Sequence, residues 1–232
     1  MKNAAIETED FRVRVAREKR QRMRARLLDA VLAVYEPRGK GRAAVIDDVI
    51  READVSRGTF YKYFETLEDA VDELGRKLAE ETLGTYRDIF TDESDLLVQV
   101  AGGTVLTLSR AAMEPRWGLF TASIDFIDQF AQRDSLFPIV ASTLVKAREA
   151  KLLAFDSLDG ASDLVVGTAA EAIRRLAHGQ HQSRTYIVEM ATLCLCGLAV
   201  SRDRAERASR DAWLHLAAQA ENLPWWRQLS QQ

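Results

Sequence analysis

Apolar residues recur along this chain at spacings of three and four, which is the pattern of amphipathic helices. One stripe consists of Leu27, Leu28, Val31, Leu32 and Tyr35. The next consists of Ile46, Val49, Ile50 and Ala53. No stretch of the sequence alternates apolar and polar residues as a half-buried strand would, so the pattern predicts an all-α protein.

Helical spacing continues from residue 66 towards the C-terminus. Thr66–Asp69 has the form of a capping box, which predicts that a long helix begins there. A break at Asp159–Gly160 and a second capping-box sequence at Asp203–Glu206 are further predicted boundaries. The predicted helices cover residues 67–90, 94–113, 115–130, 136–155, 162–178, 183–201 and 203–221.

The segment Ser56–Phe64 combines two phenylalanines with small, hydroxylic, phenolic and cationic side chains. Phe60 and Phe64 are four residues apart, so a helix places both on one buried face. The opposite face and its flanks carry Gly58, Thr59, Lys62, Tyr61 and Tyr63. Such a surface suits contact with DNA phosphates and base edges.

The residues before this segment predict a tight turn. Asp54 and Val55 interrupt the second stripe, and Ser56 is placed to cap the helix that follows. Aspartate tolerates the left-handed conformation better than most residues. Two short helices joined by such a turn, the second with a polar outer face, predict a helix-turn-helix motif.

Residues 22–72, and above all the run from Ala53 to Phe64, resemble the N-terminal domain of TetR-type transcriptional regulators. The resemblance implies a basic arm at residues 1–21 and a three-helix DNA-binding domain at residues 22–72. It also implies a larger helical domain at residues 73–232 that binds an effector and forms the dimer.

Three positions depart from the family's pattern. Asp54 replaces the usual glycine of the turn. Val45 replaces a threonine that caps the second helix, which leaves Asp47 as the candidate cap. Leu67 replaces a lysine that meets a phosphate, so two backbone contacts of the family are missing.

The DNA-binding residues that the motif and the resemblance indicate are Arg57, Gly58, Thr59, Tyr61, Lys62 and Tyr63. We expect the two cations to contact bases or phosphates, the glycine to permit close backbone approach, and the hydroxyl groups to hold phosphates. One such helix reads only a few base pairs. A homodimer on a palindromic operator, with half-sites about 34 Å apart or a multiple of that, is therefore expected.

Charge is distributed unevenly along the chain, whose formal net charge is -3. Residues 1–65 carry 15 Lys and Arg against 11 Asp and Glu, whereas residues 66–232 carry 17 against 24. Arg12–Arg26 contains eight basic side chains and one acidic one, Glu18. Such a run is usually a solvated helical lead-in. Before a helix-turn-helix, we favour an arm that follows the neighbouring groove.

Residues 116–130 form a predicted helix with two apolar faces, which is most simply explained as core. In the resembled family the middle helices of the C-terminal domain enclose an effector pocket. The resemblance thus indicates an apolar or aromatic effector bound by Met113, Trp117, Phe120, Ile124 and Phe137.

Residues 187–200 contain only two polar side chains, Glu189 and Thr192, so this helix is apolar nearly all round. A monomer could bury it centrally. In the resembled family the last pair of long helices packs against its twin, which favours a dimer interface instead. The residues that would permit close approach are Ala191, Cys194, Gly197 and Leu198.

Several functional classes lack support in the sequence. No stretch approaches the roughly 18 apolar residues of a membrane span, and the N-terminus has no secretory core. Cys194 and Cys196 are interpreted as small buried hydrophobic residues in a reducing compartment, which predicts the cytoplasm. No hydrolase, P-loop or dinucleotide-binding motif occurs. We therefore expect neither catalysis, nor a metal, nor a cofactor.

These observations predict a homodimeric DNA-binding transcriptional regulator, a repressor released from its operator by a small, largely apolar effector. The main alternative is a DNA-bound organiser or protein-interaction module on the same fold, with no small-molecule effector. An enzyme built on a helical bundle is a more distant rival.

Overall fold

The computed structural model describes residues 11–34, 45–91, 94–124, 137–181 and 183–229. Within these ranges the chain is helical and contains no β-strand, which confirms the all-α class. The helices are α1 (Phe11–Val34), α2 (Ile46–Glu52), α3 (Arg57–Phe60), α4 (Leu67–Ile89), α5 (Leu96–Met113), α6 (Pro115–Ser123), α7 (Phe137–Glu149), α8 (Leu158–Ala177), α9 (Arg184–Gly197) and α10 (Arg202–Ala218). A short 3-10 helix follows at Ala220–Asn222.

The chain forms two compact units, and the division between them falls after Leu74, within α4. The first unit contains α1, α2, α3 and the first two turns of α4. Its core is made of Leu27, Leu28, Val31, Val49, Phe60, Phe64 and Leu74. Of the stripes predicted for α1 and α2, Leu27, Leu28, Val31 and Val49 lie in this core, and Tyr35 lies outside the described residues.

Three local signals in the first unit act as predicted. Asp54 adopts a φ of 50°, the left-handed conformation required by the turn. The N–H of Thr59 donates to Ser56 Oγ at 3.1 Å, so Ser56 caps α3. Thr66 and Asp69 exchange side-chain and backbone hydrogen bonds, both of 3.0 Å, at the start of α4. These three local features mark the turn after α2, the start of α3 and the start of α4.

The second unit is organised around α5, which contacts α6, α7, α8, α9 and α10. Nearly every α5 side chain is buried, including the polar Gln99, Thr104 and Arg110. By length and composition α5 could cross a membrane, in contrast to the expectation that no stretch comes near that limit. Because 83% of it is buried within the protein, it is the central helix of this unit.

Some predicted boundaries in the second unit are wrong. Asp159–Gly160 does not break a helix; Ser157 caps α8, and its Oγ accepts from the N–H of Gly160 at 3.1 Å. The Asp203 sequence does not cap α10, which begins at Arg202 after Ser201. Left-handed residues Lys151 and Ala199 follow the ends of α7 and α9 earlier than expected. The apolar patterns extended across these ends because Leu153 after α7, and Leu198 and Val200 after α9, are also buried.

Candidate functional site

The predicted recognition segment is anchored by two aromatic side chains of the first unit. Phe60 is fully buried and Phe64 nearly so, and their ring centroids lie 5.7 Å apart. The rings of Phe60 and Tyr61 form an edge-to-face contact, also with 5.7 Å between their centroids. Because α3 has only one turn of regular helix, this aromatic anchoring and the Ser56 cap hold its orientation.

Four of the six predicted DNA-binding residues are exposed, namely Arg57, Gly58, Tyr61 and Lys62. Lys62 has no ion-pair partner among the residues described. A Cβ placed on Gly58 would meet only Ser56 Oγ, at 3.9 Å, so the fold itself does not require glycine there. A requirement for glycine at this position would therefore come from a molecule that binds to the surface.

The other two predicted residues, Thr59 and Tyr63, are half-buried. The hydroxyl groups of Thr59 and Ser56 share a hydrogen bond of 2.9 Å. The backbone carbonyl of Tyr63 accepts a hydrogen bond from Arg24. Both residues thus contribute to the structure of the motif, and their predicted contacts with phosphate remain a prediction.

Arg24 has a structural role in the motif, although the charge pattern of the sequence placed it in the basic segment. Its guanidinium donates to both carboxylate oxygens of Glu73 and, at 3.1 Å, to the carbonyl of Tyr63. It also lies 4.6 Å from the centroid of the Phe64 ring. The hydrogen bond to Glu73 raises the pKa of Arg24 above its usual value. Arg24 precedes Leu27 by three residues and Leu28 by four, so its place on the core-facing stripe was the available signal.

The remainder of the basic segment is helical. α1 begins at Phe11, and the described side chains from Val13 to Arg22 are exposed, so this part of the predicted arm continues the first helix. Residues 1–10 lie outside the described part of the chain. Further along, Arg26 lies 3.6 Å from the carboxylate of Asp54 in the turn. Contact between this basic helix and DNA remains a prediction.

The two acids at the start of α2 have different partners from those expected. Asp47, the candidate cap, forms an ion pair with Arg57 instead. The cap comes from Asp48, whose carboxylate accepts from the N–H of Val45 at 3.4 Å. The hydrogen bond that Arg57 donates to Asp47 raises the pKa of Arg57 above its usual value. Asp48 lies three residues after Val45, the spacing at which a side chain reaches back to the helix start, and Asp47 is one residue too early.

The predicted effector residues are mostly core side chains of the second unit. Met113, Trp117 and Phe120 are buried, and Ile124 is half-buried at the end of α6. Phe137 begins α7, but its side chain lies outside the described part of the structure. Trp117 Nε1 is buried and has no hydrogen-bond partner within the described residues. A buried donor without an acceptor costs free energy, so a hydrogen-bond acceptor placed next to Trp117 Nε1 would be stabilising.

A buried arginine connects the helices around Trp117. The Arg110 side chain is 6% exposed and lies 5.1 Å from the Trp117 ring. It donates to Thr82 at 3.0 Å, to Glu81 at 3.2 Å and to Glu114 at 2.8 Å. Arg110 therefore links α4, α5 and α6. It also borders an open groove of about 540 Å³, which Met113 and Trp225 line as well.

The predicted dimer residues require a correction. Ala191, Cys194 and Leu198 are buried inside the protomer, so they are core residues that a partner chain could not reach. Only Gly197 is exposed. The apolar residues of α8 and α9 that do face outward are Leu164 and Leu193, at 37% and 46% exposure. A helix that is apolar nearly all round does not reveal from its sequence which side faces inward.

No protein-family model matches the sequence, and no curated protein matches it significantly. Solved structures do match. RolR in complex with resorcinol has a TM-score of 0.64 and 22% identity, covering 83% of this chain and 95% of RolR. The fatty acid degradation regulator FadR from Bacillus halodurans has a TM-score of 0.62 and 15% identity, covering 74% of this chain and 94% of FadR.

A TetR-family transcriptional regulator from Haemophilus influenzae matches with a TM-score of 0.58 and 14% identity, over 82% of this chain and 97% of that protein. Identities at this level establish the fold. The matched share of the chain is larger than either compact unit alone. This chain therefore has the fold of the TetR-family transcriptional regulators.

Proposed function

We propose that this protein is a DNA-binding transcriptional regulator that acts as a homodimer on a palindromic operator. The observation that carries the proposal is the exposed set Arg57, Gly58, Tyr61 and Lys62, held on a short helix by the buried Phe60 and Phe64. Cations, a phenol and an unobstructed backbone are the groups that contact phosphates and base edges. The TetR fold supports the same function.

Selection of duplexes from a random DNA library by the purified protein tests this proposal. We expect enrichment of an inverted repeat whose half-sites are about one helical turn apart, or a multiple of that. Gel shifts on the selected duplex and on a scrambled duplex then measure discrimination. Recovery of no sequence above the starting library would contradict the proposal.

The proposed dimer surface is the outward side of α8 and α9. Leu164 and Leu193 are exposed there, and Leu164 fills the space next to Gly197, where a Cβ would lie only 2.7 Å from its Cδ2 atom. This surface replaces the buried residues that the sequence indicated. It is apolar at its centre, as a homodimer interface requires.

Leu193→Glu should convert the protein to a monomer in analytical ultracentrifugation, because it places a charge at the centre of that surface. Leu214→Glu is the matched control, since Leu214 is 55% exposed on α10. We expect the control to remain dimeric. If both variants, or neither, were monomeric, α8 and α9 would not be the dimer interface.

For the effector we propose a small, largely apolar molecule that carries a hydrogen-bond acceptor. Met113, Trp117 and Phe120 supply apolar surface, and the unpaired Trp117 Nε1 supplies a donor. RolR, which shares the fold, was solved with the aromatic diol resorcinol. An aromatic ring with an oxygen acceptor is therefore the first chemistry to test.

Thermal shift with resorcinol, followed by a gel shift on the selected duplex, tests the effector proposal. Binding should raise the melting temperature and weaken DNA binding, and Trp117→Phe should reduce both effects. Release requires that the ligand prefer the state with lower DNA affinity, since equal affinity for two states shifts nothing. Such release would make the protein a repressor with an inducing ligand, with α4 as the element shared by both units.

The close packing of Trp117 and Phe120, which are 2% and 1% exposed, favours a second candidate function. A filled core suits a DNA-bound organiser or protein-interaction module without a small effector. Sequence-specific DNA binding combined with no thermal response to resorcinol or other small aromatic compounds would support it.

A further inference from the structure

An ion pair lies on the surface proposed to contact DNA. Asp47, at the start of α2, accepts a hydrogen bond from an Nη2 hydrogen of Arg57, at the start of α3. Both side chains are more than half exposed, at 56% and 57%. Exposed pairs contribute little to stability, because water already solvates both charges. We therefore expect the pair to affect the binding of a partner to this surface and not the stability of the fold.

The pair changes the way in which Arg57 meets nucleic acid. Its positive charge is already balanced, so a phosphate gains less from it than from an unpaired cation. If the guanidinium moved to a phosphate, it would leave the Asp47 carboxylate facing a negatively charged backbone. A base edge imposes no such penalty, because its acceptors are neutral atoms.

The guanidinium fork makes both contacts compatible. It has five N–H donors, and the bond to Asp47 uses the Nη2 nitrogen. The remaining donors can address two acceptors in one plane, which is the arrangement that guanine O6 and N7 present in the major groove. A carboxylate on one edge of the fork therefore orients the other edge.

We propose that Asp47 is a specificity-determining residue, which directs Arg57 towards a base edge and withholds it from the phosphates. The inference rests on the proposed DNA-binding function. It assigns to Asp47 a role opposite to that of Lys62, which is exposed nearby without a described partner and is free to bind phosphate.

The test compares Asp47→Asn with the parent protein on two probes at about 0.1 M salt: a duplex selected by the parent protein from a random library, and a scrambled duplex. Loss of the carboxylate should strengthen binding to the scrambled duplex several-fold and steepen its salt dependence by about one phosphate contact. The ratio of the two affinities should fall by about tenfold, the scale of one bidentate base contact.

Asp48→Asn is the matched control, because it removes the same charge from the same helix while Asp48 pairs with Arg51 and caps Val45. It should leave the affinity ratio within about twofold of the parent. In an Arg57→Ala background, Asp47→Asn should no longer change the ratio. Circular dichroism melts confirm that each variant is folded.

Two results would overturn the inference. One is an equal loss of discrimination in the Asp47 and Asp48 variants, which would indicate a general charge effect. The other is an Asp47 effect that persists without Arg57. A parent protein that enriches no sequence would instead contradict the proposed function itself, and this inference would fall with it.

Discussion

The two units of this protein carry their candidate functional residues in opposite ways. In the first unit four of the six candidate residues are exposed, and two buried phenylalanines hold them in place. In the second unit the candidate residues Met113, Trp117 and Phe120 are themselves buried. Exposed functional residues can be recognised from a short sequence motif. Functional residues in a core can be recognised only when the residues that pack around them are known.

The largest expected effect on stability distinguishes the buried aromatic residues of the first unit from its exposed residues. Phe60→Ala should lower the free energy of unfolding by about 3–5 kcal/mol, because it empties a fully buried site. Tyr61→Ala, one residue later and 47% exposed, should change it by no more than about 0.5 kcal/mol. Urea titrations followed by circular dichroism measure both. Similar losses in the two variants would show that Tyr61 is part of the core.

The ion pairs of Arg110 and of Arg57 offer the same contrast across the units. Arg110→Met should lower the free energy of unfolding by about 1–3 kcal/mol, since Thr82 and two carboxylates lose a buried donor. Arg57→Met removes an exposed pair and should leave stability unchanged while it weakens DNA binding. Denaturant titrations compare them. An Arg110→Met protein as stable as the parent would show that this cluster does not hold the helices together.

Tyr61→Ala tests whether exposure in the first unit reflects function. We expect about tenfold weaker binding to selected and scrambled duplexes alike, because a phenol that contacts phosphate carries no sequence information. Tyr61→Phe should reproduce most of the loss if the hydroxyl makes the contact. Affinity equal to that of the parent in a gel shift would remove Tyr61 from the interface.

Two glycines extend the contrast to the backbone. A Cβ at Gly102 in α5 would lie 2.7 Å from the Phe90 ring, so Gly102→Ala should cost about 1–3 kcal/mol of stability. Gly58→Ala should not destabilise the protein, since alanine is the better helix former and meets nothing closer than 3.9 Å. It should nevertheless weaken DNA binding a few-fold. Unchanged DNA affinity would mean that the DNA does not approach the protein backbone closely at Gly58.

The smallest expected effect concerns the side of α9 that faces the core. Burial raises the pKa of the Cys194 thiol, whereas Cys196 is half-buried. Iodoacetamide should therefore modify Cys196 in the native protein and Cys194 only after unfolding, as measured by peptide mass spectrometry. Equal labelling of the two residues would indicate that α9 turns the Cys194 side outward, and would restore the dimer face predicted from sequence.

Sequence reasoning was most successful where one residue determines its own local structure. Ser56 as a cap, Asp54 in a left-handed turn and the Thr66–Asp69 box depend on neighbours within three residues, and the structure confirms all three. It failed where two partners of similar chemistry compete. Asp47 and Asp48 are adjacent acids: the spacing of three residues from Val45 favours Asp48 as the cap, whereas the ion pair of Asp47 with Arg57 depends on the tertiary structure.

By itself the sequence determined the helical class and the helix-turn-helix segment, because helical periodicity and capping are local and a helix places Phe60 and Phe64 on the same buried face. Tertiary structure alone decided that Arg24 clamps the motif, that Arg110 is buried, and that Ala191, Cys194 and Leu198 face the core. The physical reason is the same in each case. Burial depends on which helices surround a side chain. The spacing of Arg24 indicates its side of α1 but not its partners Glu73 and Tyr63, and an alanine in an apolar helix does not indicate which side faces inward.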